Sequence, residues 1–194
     1  MIAIIDYNAG NILSVENALK RLGAEYIITD SREEILKADK VLFPGVGDAS
    51  YAMAQLRAKN LVDTIKEVTQ PFLGICLGMQ LLCASSEEGD TECLGILPNK
   101  VQLLEYDGLN KVPNIGWCEM LEPKSPLFKG IEEGEFVYYV HSFAAEVNEY
   151  TICKSMHGRP FSGALQKDNF YGCQFHPEKS GLIGEKILKN FIEL

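Results

Sequence analysis

The chain has 194 residues, 46% hydrophobic and 23% charged, enough for one large domain whose core needs no disulfide or metal staples. Eighteen Lys and Arg against 27 Asp and Glu leave a formal charge of -9, a surface sign that repels phosphate backbones and anionic lipid, so nucleic acid and membrane are poor candidates as partners. The longest apolar stretch, Phe72 to Leu82, is interrupted by Gln80, and the start Met1-Ile2-Ala3-Ile4-Ile5-Asp6 lacks the basic segment of a secretory signal, so a cytoplasmic protein is expected.

Ile2 to Ile5 is a continuous apolar run, suited to a strand buried on both faces. Asn11 to Leu22 follows with helical spacing at Ile12, Val15, Ala18, Leu19 and Leu22, closed by Gly23. Tyr26 to Thr29 reads as a second strand, and Ser31-Arg32-Glu33-Glu34 has the capping-box form that opens a helix. Val41-Leu42-Phe43 is a strand ending in the tight loop Pro44-Gly45-Val46-Gly47. Helical segments run from about Ala49 to Val68, and the strand Pro71 to Ile75 enters a helix directly at Cys76. Such βαβ alternation predicts a parallel sheet with helices on both faces. From about residue 94 the strands shorten: Val101–Leu104, Phe136–Val140, Tyr150–Ser155, Gly163–Gln166 and Tyr171–Phe175, before a last helix over Leu182 to Ile192. No linker or repeat divides the chain, so a single domain over 1–194 is expected, mostly parallel in front and more antiparallel behind.

Ligands of open parallel sheets gather at the carboxyl ends of strands. One such end is Gly74-Ile75-Cys76-Leu77-Gly78, a nucleophile-elbow pattern with cysteine in the serine position. The following helix N-terminus favours a thiolate. The other cysteines (83, 93, 118, 153 and 173) lack any CxxC spacing and read as buried core thiols. A thiol nucleophile needs a base and a group to orient it. His176-Pro177-Glu178 follows an apolar strand, and Glu178 is close enough in sequence to hold the imidazole, although the spacing alone equally fits a structural histidine. Cys173-x-x-His176-x-Glu178 as a metal site lacks a second ligand pair at matched spacing. His157 reads as a surface-loop residue. An oxyanion hole would draw on the amide of Leu77 and on the Pro44-Gly45-Val46-Gly47 turn.

Assembled, these segments resemble a class I glutamine amidotransferase of the triad type, over the whole chain. The resemblance rests on Ile5-Asp6-Tyr7-Asn8-Ala9-Gly10-Asn11, Phe43-Pro44-Gly45-Val46-Gly47, Gly74-Ile75-Cys76-Leu77-Gly78-Met79-Gln80 and Ser86-Glu87-Glu88-Gly89. Gly116-Trp117, Tyr139-Val140-His141-Ser142 and Gln174-Phe175-His176-Pro177-Glu178-Lys179-Ser180 complete it. It implies a flavodoxin-like three-layer α/β sandwich in which Cys76, His176 and Glu178 are the catalytic triad, with Leu77, Val46 and Gly47 at the oxyanion hole. Gly45, Gln80, Glu88, His141, Ser142 and Phe143 would bind L-glutamine, and Gln80 would offer both donor and acceptor. No cofactor or metal is implied.

Met79 and the His-Pro-Glu-Lys-Ser ending are typical of glutaminase subunits that pass ammonia to a (β/α)8-barrel cyclase in a heterodimer; Asn11, Trp117 and Lys179 match that interface. Three stretches depart from the family: Asn8 stands where glycine is usual, Ile12-Leu13 where leucine and arginine are common, and Asn114 where histidine is common. Rival readings are a paralogue supplying ammonia for amidation of a cell-surface sugar, a stand-alone Cys-His-Glu amide hydrolase, and a non-catalytic binding module.

Overall fold

The computed structural model describes residues 1–8, 10–106 and 108–194; Ala9 of the first-loop motif lies outside them. The front of the chain supplies the strands β1 (Ile2–Ile5), β2 (Tyr26–Thr29), β3 (Lys40–Gly45) and β4 (Phe72–Cys76). Between and after them lie the helices α1 (Ile12–Arg21), α2 (Arg32–Lys37), α3 (Ala49–Ala58), α4 (Leu61–Lys66) and α5 (Leu77–Leu82). Every residue of β1 and β4 is buried, as expected of strands covered on both faces. Ser31 caps α2 by accepting from the Glu34 N–H, as the capping box predicts. The helical stretch from Ala49 is two helices, because Asn60 adopts a left-handed φ of 56° between them.

The back of the chain supplies β5 (Ser85–Ser86), β6 (Thr91–Glu92), β7 (Lys100–Leu103), β8 (Asn114–Glu119), β9 (Phe136–His141) and β10 (Phe143–Ala145). It ends with β11 (Thr151–His157), β12 (Arg159–Lys167), β13 (Phe170–Cys173) and α6 (Gly181–Glu193). The central sheet has seven strands in the order β11-β12-β13-β4-β3-β1-β2. Pairing is parallel from β13 through β4, β3 and β1 to β2, and antiparallel across β11, β12 and β13. The predicted parallel front and antiparallel back therefore meet within one sheet. β7 and β10 join a smaller four-stranded sheet, and β8 and β9 form a separate ribbon.

Alternation along the strands divides the core into two layers of side chains. Ile2, Ile4, Leu42, Leu73 and Ile75 pack with Val15 and Leu19 of α1 and with Ile187, Leu188 and Phe191 of α6. Ile5, Val41, Phe43 and Phe72 pack with Ile35 of α2, Met53 and Leu56 of α3 and Ile65 of α4. The result is the three-layer α/β sandwich.

Besides the short strands β5, β6 and β10, two details depart from the sequence reading. β3 extends through Pro44 to Gly45, which pairs with Cys76, so Gly45 belongs to the sheet and only Val46 and Gly47 project beyond it. The strand β8 had no signal, because its apolar alternation faces outward: Ile115 and Trp117 are 62% and 54% exposed.

Candidate active site

β4 passes into α5 with no intervening loop, and the whole reversal falls on Cys76, at φ 54° and ψ -110°. A non-glycine residue held there costs on the order of 1–3 kcal/mol, so the surrounding structure must enforce it. The flanking glycines show how. A Cβ at Gly74 would lie 2.7 Å from the Gly78 carbonyl oxygen, and one at Gly78 would overlap the Phe43 carbonyl oxygen of β3. The helix start is thus pressed against both strands, and Cys76 is lifted to the sheet's carboxyl edge beside Gly45.

His176 reaches the same edge from the end of β13. Its backbone N–H donates to the Tyr138 carbonyl at 2.9 Å, and the Ser180 hydroxyl donates to the His176 carbonyl at 2.7 Å while accepting from the Tyr138 N–H. Pro177 opens a one-turn helix over Pro177–Lys179 that returns Glu178 to the imidazole, with His176 Nδ1 and Glu178 Oε1 2.8 Å apart. The other ring nitrogen is left for Cys76, whose side chain lines the same cavity as His176. Burial opposes the imidazolium, but the combined influence of Cys76 and Glu178 outweighs it and raises His176 to about 9. Cys76 Sγ also lies 3.7 Å from the Val140 carbonyl oxygen of β9.

These side chains open into a cavity of about 270 Å³. Val46, Gly47, Leu77, Gln80, Glu88, His141, Ser142 and Phe143 line it together with Cys76 and His176, and Lys179 stands at its wall. Pro113 and Val140 line it as well, unforeseen from the sequence. Gly45 does not reach the cavity; a Cβ there would meet the Tyr7 hydroxyl at 2.6 Å, so its place is beneath the elbow. Glu178 sits behind His176, its side chain 1% exposed, and Asn11 and Trp117 lie outside the cavity.

Three wall contacts define what the pocket can hold. Glu88 Oε2 accepts from the Ala49 N–H at the start of α3 (2.9 Å), and burial raises its carboxyl despite that bond. Both Nε2 protons of Gln80 are committed, to the Phe143 carbonyl at 2.8 Å and to Gln174 Oε1 at 3.0 Å. Toward a ligand Gln80 can therefore only accept, which narrows the sequence expectation of a donor and acceptor together. His141 Nδ1 lies 2.8 Å from the Phe143 carbonyl, which fixes the proton on that nitrogen and leaves Nε2 to accept from Asn114 Nδ2 at 3.1 Å. Burial lowers His141 to about 4 despite the bond to the Phe143 carbonyl, so it is neutral. Asn114 fills the position where histidine is common, its Nδ2 also donating to Cys118 Sγ at 3.6 Å.

The remaining thiols have a different setting. Burial raises Cys83, Cys118 and Cys173, and pushes Cys93 to about 11 and Cys153 to about 12. Among the described residues no group of three or more His, Cys, Asp and Glu is placed to hold a metal ion. None of their helices is long and apolar enough to cross a membrane.

A pocketed Cys–His–Glu arrangement on a three-layer sandwich defines the class, and the class is borne out by comparison: residues 3–194 match the family described as "Glutamine amidotransferase class-I". The chain belongs to the class-I glutamine amidotransferases. It is 53% identical to the "Imidazole glycerol phosphate synthase subunit HisH" of Bacteroides fragilis, covering 100% of this chain and 99% of that protein. The protein of the same name in Bacteroides thetaiotaomicron is 50% identical with the same coverage. Among solved structures, one described as a glutamine amidotransferase superposes with a TM-score of 0.76 at 16% identity, covering 100% of this chain and 98% of that one. The structure of PurLQS from Thermotoga maritima gives 0.71 at 16% identity, covering 99% and 97%. At those identities the likeness is one of fold.

Proposed function

We propose that the chain is the glutaminase subunit of an imidazole glycerol phosphate synthase, a single domain over residues 1–194. In this reading it hydrolyses L-glutamine in the cytoplasm and hands ammonia to a (β/α)8-barrel cyclase subunit. The barrel would then form imidazole glycerol phosphate and aminoimidazole carboxamide ribotide in histidine biosynthesis. The observation that carries the reading is Cys76 on a strained elbow, facing the same cavity as an imidazole that Glu178 holds from behind.

In the proposed cycle the Cys76 proton passes to His176 as sulfur attacks the side-chain amide carbon of glutamine. The amides of Leu77 and of the Val46–Gly47 turn receive the developing oxyanion. The C–N bond then breaks, His176 returns its proton to the leaving nitrogen, and ammonia departs from a glutamyl thioester. His176 next takes a proton from water, which attacks the thioester; glutamate leaves and the thiol is restored. Glu88 is suited to the substrate ammonium, Gln80 accepts from it, and His141, Ser142 and Phe143 shape the pocket mainly through their backbone.

Gly47 has φ +103° with no neighbour where a Cβ would stand, and Val46 is 40% exposed. Such a turn is free to re-aim its amide, which supports an oxyanion hole completed only when the partner binds. A docking face adjoins the pocket: Ile115, Trp117, Tyr138 and Val140 lie on one side of the β8–β9 ribbon, with Trp117 packed edge-on against Tyr138. Val140 and Lys179 connect that face to the cavity mouth. A contiguous apolar face of this kind is suited to a protein partner.

Glutamate release from glutamine, measured for the isolated chain and with a purified cyclase barrel and its nucleotide ligand, tests the reading. Near silence alone and turnover in the complex are expected. Steady turnover by the isolated chain would instead identify a free-standing amide hydrolase.

A further inference from the structure

Gln174 is fully buried between β13 and His176, and its side chain is aimed at the nucleophile. Its Nε2 lies 3.7 Å from Cys76 Sγ, and its Oε1 accepts from Gln80 Nε2 at 3.0 Å. The orientation of this amide is determined by its neighbours. Gln80 spends its second proton on the Phe143 backbone carbonyl, which can only accept, so Gln80 must present nitrogen on this side. Gln174 must then present oxygen to Gln80 and an N–H to the sulfur. Its own backbone N–H donates to the Gly163 carbonyl at 2.9 Å, which anchors the residue to β12.

We propose that Gln174 is a further catalytic residue: its side-chain N–H donates to the Cys76 sulfur and stabilises the negative charge there while His176 holds the proton. The proton balance is simple. The thiol proton moves to the free ring nitrogen of His176, sulfur becomes anionic, and the Gln174 amide neither gains nor loses a proton. The Val140 carbonyl suits the S–H form, because it can accept from a thiol but only repels a thiolate. Gln174 offers the opposite preference, since an N–H donor gains most when its acceptor is charged. A buried glutamine that merely fills space would not require this donor to face sulfur.

The inference rests on Cys76 being the nucleophile. The test is the rate of carboxamidomethylation by iodoacetamide from pH 5 to 10, with the alkylated thiol mapped by peptide mass, for the full chain and for Gln174→Met and Gln174→Glu. The methionine keeps the bulk without a donor; the glutamate keeps the acceptor toward Gln80 and places oxygen against sulfur. We expect the Cys76 profile to move to higher pH by about one unit in Gln174→Met and further in Gln174→Glu, since one unit is a tenfold change in equilibrium. Partner-stimulated kcat should fall about tenfold with KM within about threefold. Unmoved profiles with the loss confined to KM would overturn the proposal and leave Gln174 a pocket-shaping residue. Alkylation that misses Cys76 in the unmodified chain would overturn the nucleophile assignment itself. If both variants fail to fold, the Gln174 side-chain amide protons of the unmodified chain decide the matter. They should shift as pH rises and stop shifting once Cys76 is alkylated; their indifference to alkylation would overturn the proposal.

Discussion

At residues 72–82 the chain turns from β4 into α5 through a left-handed Cys76 and two glycines that admit no side chain. On the facing wall, residues 136–143 and 174–178 have no positive φ, and His141, Gln174 and His176 are held by hydrogen bonds. His141 has partners on both ring nitrogens, and Gln174 accepts from Gln80 of the elbow helix. One side of the site is thus positioned by steric exclusion and the other by hydrogen bonds between side chains and backbone. A strained turn fixes where the sulfur stands; a hydrogen-bonded wall fixes which atoms face it. The two kinds of constraint should fail differently.

The largest effect is expected at the elbow. Cys76→Ala should lower partner-stimulated glutamate release on the order of 10⁴-fold or more. Cys76→Gly should be as inactive yet about 1 kcal/mol more stable than Cys76→Ala in urea unfolding, reversing the usual order, because glycine relieves the positive φ. If alanine proves the more stable of the two, the elbow is not strained. Gly78→Ala should cost about 3 kcal/mol of stability, since its Cβ would overlap the Phe43 carbonyl oxygen and backbone has little room to give.

The two histidines extend the comparison to pH. His141, lowered to about 4 from 6.5, stays neutral in the folded chain while the unfolded chain protonates below 6.5. Its contribution is therefore complete above pH 6.5 and falls, by at most roughly 3 kcal/mol, as pH drops toward 4. His176, raised to about 9, acts in the opposite sense: its contribution is complete below 6.5 and is lost as pH rises through about 9. Urea unfolding across pH 4 to 10 checks both, and replacing His141 by Gln should flatten the acid limb alone. The smallest change in stability belongs to the outer ribbon. Trp117→Ala should stay within about 0.5 kcal/mol of the parent chain while weakening partner binding by about 2 kcal/mol, seen by titration calorimetry.

The same contrast explains what the sequence disclosed. The elbow was legible because steric demands leave glycines at fixed spacing around Cys76, and buried strands such as Ile2–Ile5 leave unbroken apolar runs. Asn8, a departure from the family's glycine, is accounted for by its φ of 62°, a region asparagine tolerates better than most residues. The wall was less legible. Gln174 and Asn114 act through side-chain partners far along the chain, and no periodicity marks a hydrogen bond between residues 80 and 174. β8 escaped notice because it turns apolar residues outward, the reverse of the pattern by which half-buried strands are recognised. Gly45 read as part of a loop because Pro44 signals a turn, whereas the last residues of β3 still pair with β4.

The central claim is that one of six cysteines is set apart by the fold as a nucleophile. Treating the chain with a glutamine-mimicking chloroketone and mapping the modified peptide by mass spectrometry tests it most directly. The account predicts one equivalent of label on Cys76, blocked by prior addition of glutamine. Label distributed over Cys83, Cys118 or Cys173, or insensitive to glutamine, would contradict it.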